Sequence, residues 1–105
     1  MLLTTTSTIQ DKEIIEYLGV VTSEVIIGAN ALKDLAASFT DFFGGRSTAY
    51  EETLKKAKYE VMRELQAEAA AIGANAIIGI DLDYETIGSS GSMLMVAASG
   101  TAVRI

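Results

Sequence analysis

A chain of 105 residues, half of them apolar and with a net charge of −6, has the size of one domain built around one core. It contains neither cysteine nor histidine, which removes disulfides, thiolate nucleophiles, imidazole bases and the nitrogen and sulfur ligands of most zinc sites. Its eight lysines and arginines are scattered and form no stripe, so nucleic acid is not an expected partner.

The longest apolar run, "MLMVAA" at 93–98, falls far short of the roughly 20 residues that span a bilayer. The N-terminal "MLLTTTSTIQDKEI" lacks the basic start and apolar stretch of a secretory signal. The expectation is a single cytoplasmic domain over residues 1–105, away from membranes.

In chain order, "LLTTTST" is β-prone and "IQDKE" at 9–13 suits a turn. A longer strand is expected over 14–27, with Ile15, Tyr17, Val21, Val25 and Ile27 on its core face. Its other face carries Ile14, Leu18, Val20 and Ile26 among polar residues, too apolar for open water. "GAN" at 28–30 predicts a turn with Asn30 as N-cap. A short helix follows, carrying Leu32, Leu35, Ala36, Phe39, Phe42 and Phe43 at helical spacing and stopped by Gly44 and Gly45.

Thr48 and Glu51 stand at capping-box spacing, so a second helix is expected from Thr48 to about Ile72, ending at Gly73. Leu54, Ala57, Val61, Leu65, Ala69 and Ile72 form its buried stripe, and Glu51 with Lys55, Glu52 with Lys56, and Glu60 with Arg63 can pair across its outer surface. Two strand patterns, 75–87 and 92–105, are joined by "GSSG" as a hairpin. In the first, Ile78, Ile80, Leu82 and Tyr84 are expected on one face and Gly79, Asp81, Asp83 and Glu85 on the other.

The second of these strands is apolar on both faces: Leu94, Val96 and Ala98 on one, Met93, Met95 and Ala97 on the other. Two helices can cover only one face of a small sheet, so another subunit is expected over the remainder, making the chain a homo-oligomer.

Two groups of residues stand out as candidate sites. "GGRS" before the second helix combines glycines that can adopt positive φ, unsatisfied first-turn N–H groups and an arginine. The candidate small-ligand set is therefore Gly44, Gly45, Arg46, Ser47 and Glu51. It lacks the lysine and spacing of a P-loop, and a helix junction with Arg46 paired to a carboxylate accounts for the same residues.

The other group is a candidate metal set: the carboxylates of Asp81, Asp83 and Glu85, which suit hard cations, and the thioethers of Met93 and Met95, the best-placed pair of soft donors. A solvated sheet face, or salt bridges to a neighbour's lysine or arginine, is the alternative. No serine sits in a nucleophile elbow and no catalytic residue is identified, so the chain is not read as an enzyme. An inter-subunit site using carboxylates and a ligand-free scaffold are the competing functions.

"GGRS" (44–47), "YEETL" (50–54), "GANAIIGIDLDYE" (73–85) and "GSMLMVAASGTAVRI" (91–105), together with the early "TTT" and "GAN" at 28–30, resemble the YbjQ-like family of small bacterial proteins. The resemblance implies an α+β fold of the dodecin-like kind, a helix-covered antiparallel sheet in a β-α-β-β arrangement with two helices, assembled as a homopentamer. It also implies a heavy-metal-binding label, for which a metal ion would be the cofactor. The absence of cysteine and histidine stands against that label.

Overall fold

The computed structural model describes residues 1–28, 30–31, 42–43 and 46–105. Strand β1 (Leu2–Leu3) is followed by the long β2 (Glu16–Ile27). Two short strands come next, β3 (Phe42–Phe43) and β4 (Arg46–Ser47), then helix α1 (Thr48–Ala71), β5 (Ala76–Ile87) and β6 (Met93–Arg104). The main sheet has the order β1-β5-β6-β2, with β6 central and only the β1–β5 pairing parallel. The β5–β6 hairpin turns through a 3-10 turn at Ser89–Gly91.

Helix α1 begins and ends close to the expected positions because its apolar residues recur every three to four positions and Gly73, at φ +89°, stops it. It lays Ala57, Val61, Leu65 and Ala69 on one face of the sheet against Val21, Ile77, Val96, Ala98 and Ala102. Val61, Leu65, Ile77 and Val96 are fully buried, each contributing about 1.5–3 kcal/mol relative to exposure. Ile72, expected in the buried stripe, is exposed, because it lies beyond the helix's last residue.

Two irregularities reset which face each strand presents. In β2 the register shifts between Tyr17 and Gly19, which makes Leu18 an extra residue packed against the main core. Ile15 and Tyr17, expected on the core side, are consequently 66% and 67% exposed. In β5 the register shifts between Ile78 and Asp81, so Gly79, at φ +61°, and Ile80 together lie opposite Gly100. Ile78 and Ile80, expected on one face, therefore face opposite sides. Ile80 joins the helix-side core, while Ile78 joins Ala76 and Val103 in a second, small cluster on the far face.

That far-face cluster is covered by Ile9, Ile14 and Ile105. The expected turn at 9–13 is present, bridged between Ile9 and Lys12, with Asp11 at φ +62°. Only Leu2–Leu3 of the β-prone N-terminus is regular strand. The backbone beyond it still follows β5 to the irregularity: Gly79 N donates to Thr6 O (2.8 Å) and Ile80 N to Thr4 O (3.1 Å). The Asn75 side chain closes this end of the sheet, donating to Ile105 O (2.9 Å) and accepting from Ile105 N (2.8 Å).

Asn30 and Ala31 are helical, and the expected body of the first helix at Leu32, Leu35, Ala36 and Phe39 lies outside the described residues. Phe42 and Phe43, expected on that helix, instead pair as a strand with Ser47 and Arg46.

Candidate functional site

The face of the sheet turned away from α1 is organised in rows, because residues paired across strands point to the same side. Asp81 pairs with Ser99, Asp83 with Ala97 and Glu85 with Met95. On the other flank Thr22 pairs with Ser99, Glu24 with Ala97 and Ile26 with Met95. The five candidate metal-site residues are thus brought onto one face, with Met93 one row beyond, opposite Ile87. Val20 and Ile26 on this face are 77% and 53% exposed, and Met93, Met95 and Ala97 are half-buried.

The acidic row is electrostatically tense. The Asp83 carboxyl is raised above its ordinary value, first by a hydrogen bond with Asp81, then by the charge of Asp81, with smaller effects of desolvation and of Glu85. No lysine or arginine of the described residues pairs with Asp81, Asp83 or Glu85. Among the described residues no three of His, Cys, Asp and Glu converge closely enough to hold a metal ion. The backbone positions of these same-face residues are roughly 6.5–7 Å apart along the strand, although the Asp81 and Asp83 carboxyls lean together.

The "GGRS" stretch is only partly described. Gly44 and Gly45 lie outside the described residues, Arg46 and Ser47 form β4, and Glu51 lies in the first turn of α1. The structure therefore locates Arg46, Ser47 and Glu51 around one strand-to-helix junction. Beside it a hollow of about 220 Å3 is lined by Glu51, Leu54, Lys55 and Lys58.

A larger hollow escaped the sequence reading. About 490 Å3 of space is bordered by Leu2, Thr4, Thr6, Thr8, Ile9 and Gln10. Thr6 Oγ1 donates to Thr8 O (2.6 Å), Thr4 and Thr6 hydroxyls are 2.8 Å apart, and Thr6 N donates to Thr4 Oγ1. The alternation of Thr4, Thr6 and Thr8 was the available signal, since a period of two places them on one side of an extended chain. The Thr4 and Thr6 hydroxyls are engaged with each other and with the local backbone, and no charged side chain is among the described residues lining the hollow.

A four-stranded mixed sheet covered on one face by a long helix defines a small α+β protein, and none of its described helices is long and apolar enough to cross a membrane. The whole chain, residues 1–105, matches the model of the YbjQ family, described as "Putative heavy-metal-binding", and the protein belongs to that family. It is 57% identical over 103 residues to a UPF0145 protein of Clostridium kluyveri, covering 98% of this chain and 97% of the relative. Its fold is similar to the crystal structure of a protein of unknown function from the DUF74 family of Pediococcus pentosaceus. That likeness has a TM-score of 0.64 at 19% identity, over all of this chain and 97% of the other.

The family description can be tested against the donors present. Soft heavy-metal ions are held by thiolate, imidazole or thioether. This chain has no cysteine or histidine, and Met1, Met62, Met93 and Met95 are its only thioethers. A pair of half-buried methionines beside exposed carboxylates does not make a soft-metal site within one chain.

Proposed function

We propose that the protein is a non-enzymatic, cytoplasmic homo-oligomer that binds a small ligand or ion where its subunits meet. It would have the pentameric, dodecin-like assembly implied by the family resemblance. The observation that carries this is the central strand β6, apolar on both sides while α1 covers only one. Ile26 stands exposed on the uncovered side beside half-buried Met95, and Val20 is exposed further along the same strand, opposite Thr101. Exposed apolar residues gathered on one sheet face mark an interaction surface.

The candidate contributors at the junctions are the strand carrying Asp81, Asp83 and Glu85, and the Arg46, Ser47 and Glu51 corner with its preceding glycines. Carboxylates from two copies would suit a hard cation, and the arginine corner an anionic small molecule. Native mass spectrometry of protein purified without added metals or chelators tests both parts at once. The expected spectrum is a pentamer carrying a reproducible adduct. A bare pentamer would refute the retained ligand, and a monomer at every concentration would refute the assembly.

A further inference from the structure

We infer that the uncovered sheet face of one copy receives the outer surface of α1 of a second copy, with Lys55 and Lys56 meeting the acidic row of Asp81, Asp83 and Glu85. This rests on the homo-oligomer proposed above and names the surfaces that meet. The uncovered face carries Met95 and Ala97 on β6 and Ile26 beside Met95 on β2, with Val20 further along β2 opposite Thr101. At its edges it is acidic, with Glu24 on β2 and the three carboxylates on β5. No described lysine or arginine pairs with the β5 carboxylates, and two identical faces of this kind would set carboxylate against carboxylate. A face-to-face dimer is therefore disfavoured, and the occupant must bring positive charge and an apolar group together.

The outer surface of α1 has both. Lys55, Lys56 and Tyr59 are exposed and border one hollow of about 490 Å3 with Glu60. Tyr59 is 69% exposed, and the carboxylate of Glu60 is engaged by Arg63 at 2.8 Å. Tyrosine supplies the wide, rigid contact typical of interface anchors and fits against the paired Ile26 and Met95. Ala97 and Ser99, small residues at the centre of the face, leave room for a helix at the usual packing distance of about 10 Å. Sheet face to helix is a head-to-tail contact, which closes a ring of identical subunits when the rotation allows it. In this arrangement a neighbour's ammonium groups take the place a hard cation would have on the acidic row, and the ligand of the proposed function falls to the Arg46, Ser47 and Glu51 corner.

Sedimentation velocity over a concentration series tests this. K55E/K56E and D81K/D83K should each weaken self-association by about tenfold or more, because each sets like charges together. The quadruple variant K55E/K56E/D81K/D83K, which exchanges the signs of both surfaces, should restore it whatever the ring size. Glu52→Gln, which removes a carboxylate one turn before Lys56, should tighten association, and a chelator should leave it unchanged. Circular dichroism separates misfolding from lost contacts, and the neutral pairs K55Q/K56Q and D81N/D83N repeat the comparison if a reversal misfolds. An oligomer that persists unchanged in both pairs, a quadruple variant no better than either pair, or dissociation by chelator overturns this interface while leaving the homo-oligomer standing. A parent protein that is monomeric throughout overturns both.

Discussion

Ser23 Oγ donates a 2.7 Å hydrogen bond to the carbonyl oxygen of Val61, tying the edge strand β2 to the middle of α1. Among the described residues Ser23 is the buried polar one, and its hydroxyl has this carbonyl as its partner. Ser23→Ala removes the donor, and stability should fall by about 1 kcal/mol. In a domain of this size that lowers Tm by about 4–8 °C, read by thermal or urea unfolding.

Two glycines facing each other across β5 and β6 should respond to alanine for different reasons. At Gly100 an added Cβ would come within 2.6 Å of Ile77 Cγ2 and 3.2 Å of the Ile78 carbonyl oxygen. Gly100→Ala should cost about 1–3 kcal/mol through overpacking. Ile77→Leu, which takes the offending methyl off Cβ, should recover part of the loss. At Gly79 nothing lies within 4 Å but φ is +61°, so Gly79→Ala should cost about 1–2 kcal/mol from backbone strain, with no rescue by Ile77→Leu. Urea unfolding of the four variants distinguishes crowding from conformation.

The clamp of Asn75 on the backbone of Ile105 predicts a local effect. Asn75→Ala removes both bonds and should loosen the small far-face cluster of Ala76, Ile78 and Val103 more than the helix-side core. Amide hydrogen exchange should quicken at Ile105 and neighbouring Arg104, with protection in α1 little changed.

Asp83 gives a pH dependence whose sign follows from its raised pKa. Above the ordinary 3.8 and up to the folded value, the native state holds a proton that the unfolded chain has released, so this group's contribution to stability falls as pH rises through that window. Asp83→Asn should flatten that part of the stability profile and leave the protein slightly more stable at neutral pH. The profile is read from urea midpoints across the acid range, and a carboxyl titration by NMR should place Asp83 above its ordinary value.

Periodicity in the sequence located the long helix and the hairpin to within a residue or two, because both are local patterns of ten or more residues. It mis-sided Ile15 and Tyr17, and put Ile78 and Ile80 on one face where the structure separates them. One inserted residue at Leu18, and one at the Gly79–Ile80 step, inverts a period of two, and only pairing with β6 reveals the insertion. Phe42 and Phe43 fit a helical spacing equally well, yet pair with Ser47 and Arg46 across the two glycines. For the candidate site, the shared face of Asp81, Asp83 and Glu85 was legible in one strand. That Met93, Met95 and Glu24 stand on the same face required the cross-strand register.

The central strand β6 is the last element in the sequence, and both of its neighbours wait for it. Strand β2 leaves the ribosome some seventy residues before its partner, and β1 must wait for Ala76 and Ile77. During synthesis the helix can form alone, but the sheet cannot begin until the hairpin turns back at Ser89–Gly91. Sheet folding should therefore follow synthesis of β6, with the hairpin as its seed and β2 arriving late at the price of a long loop closure. Until then β2 carries its apolar residues unpaired, which makes the interval before β6 is made the one in which these residues are most exposed to aggregation.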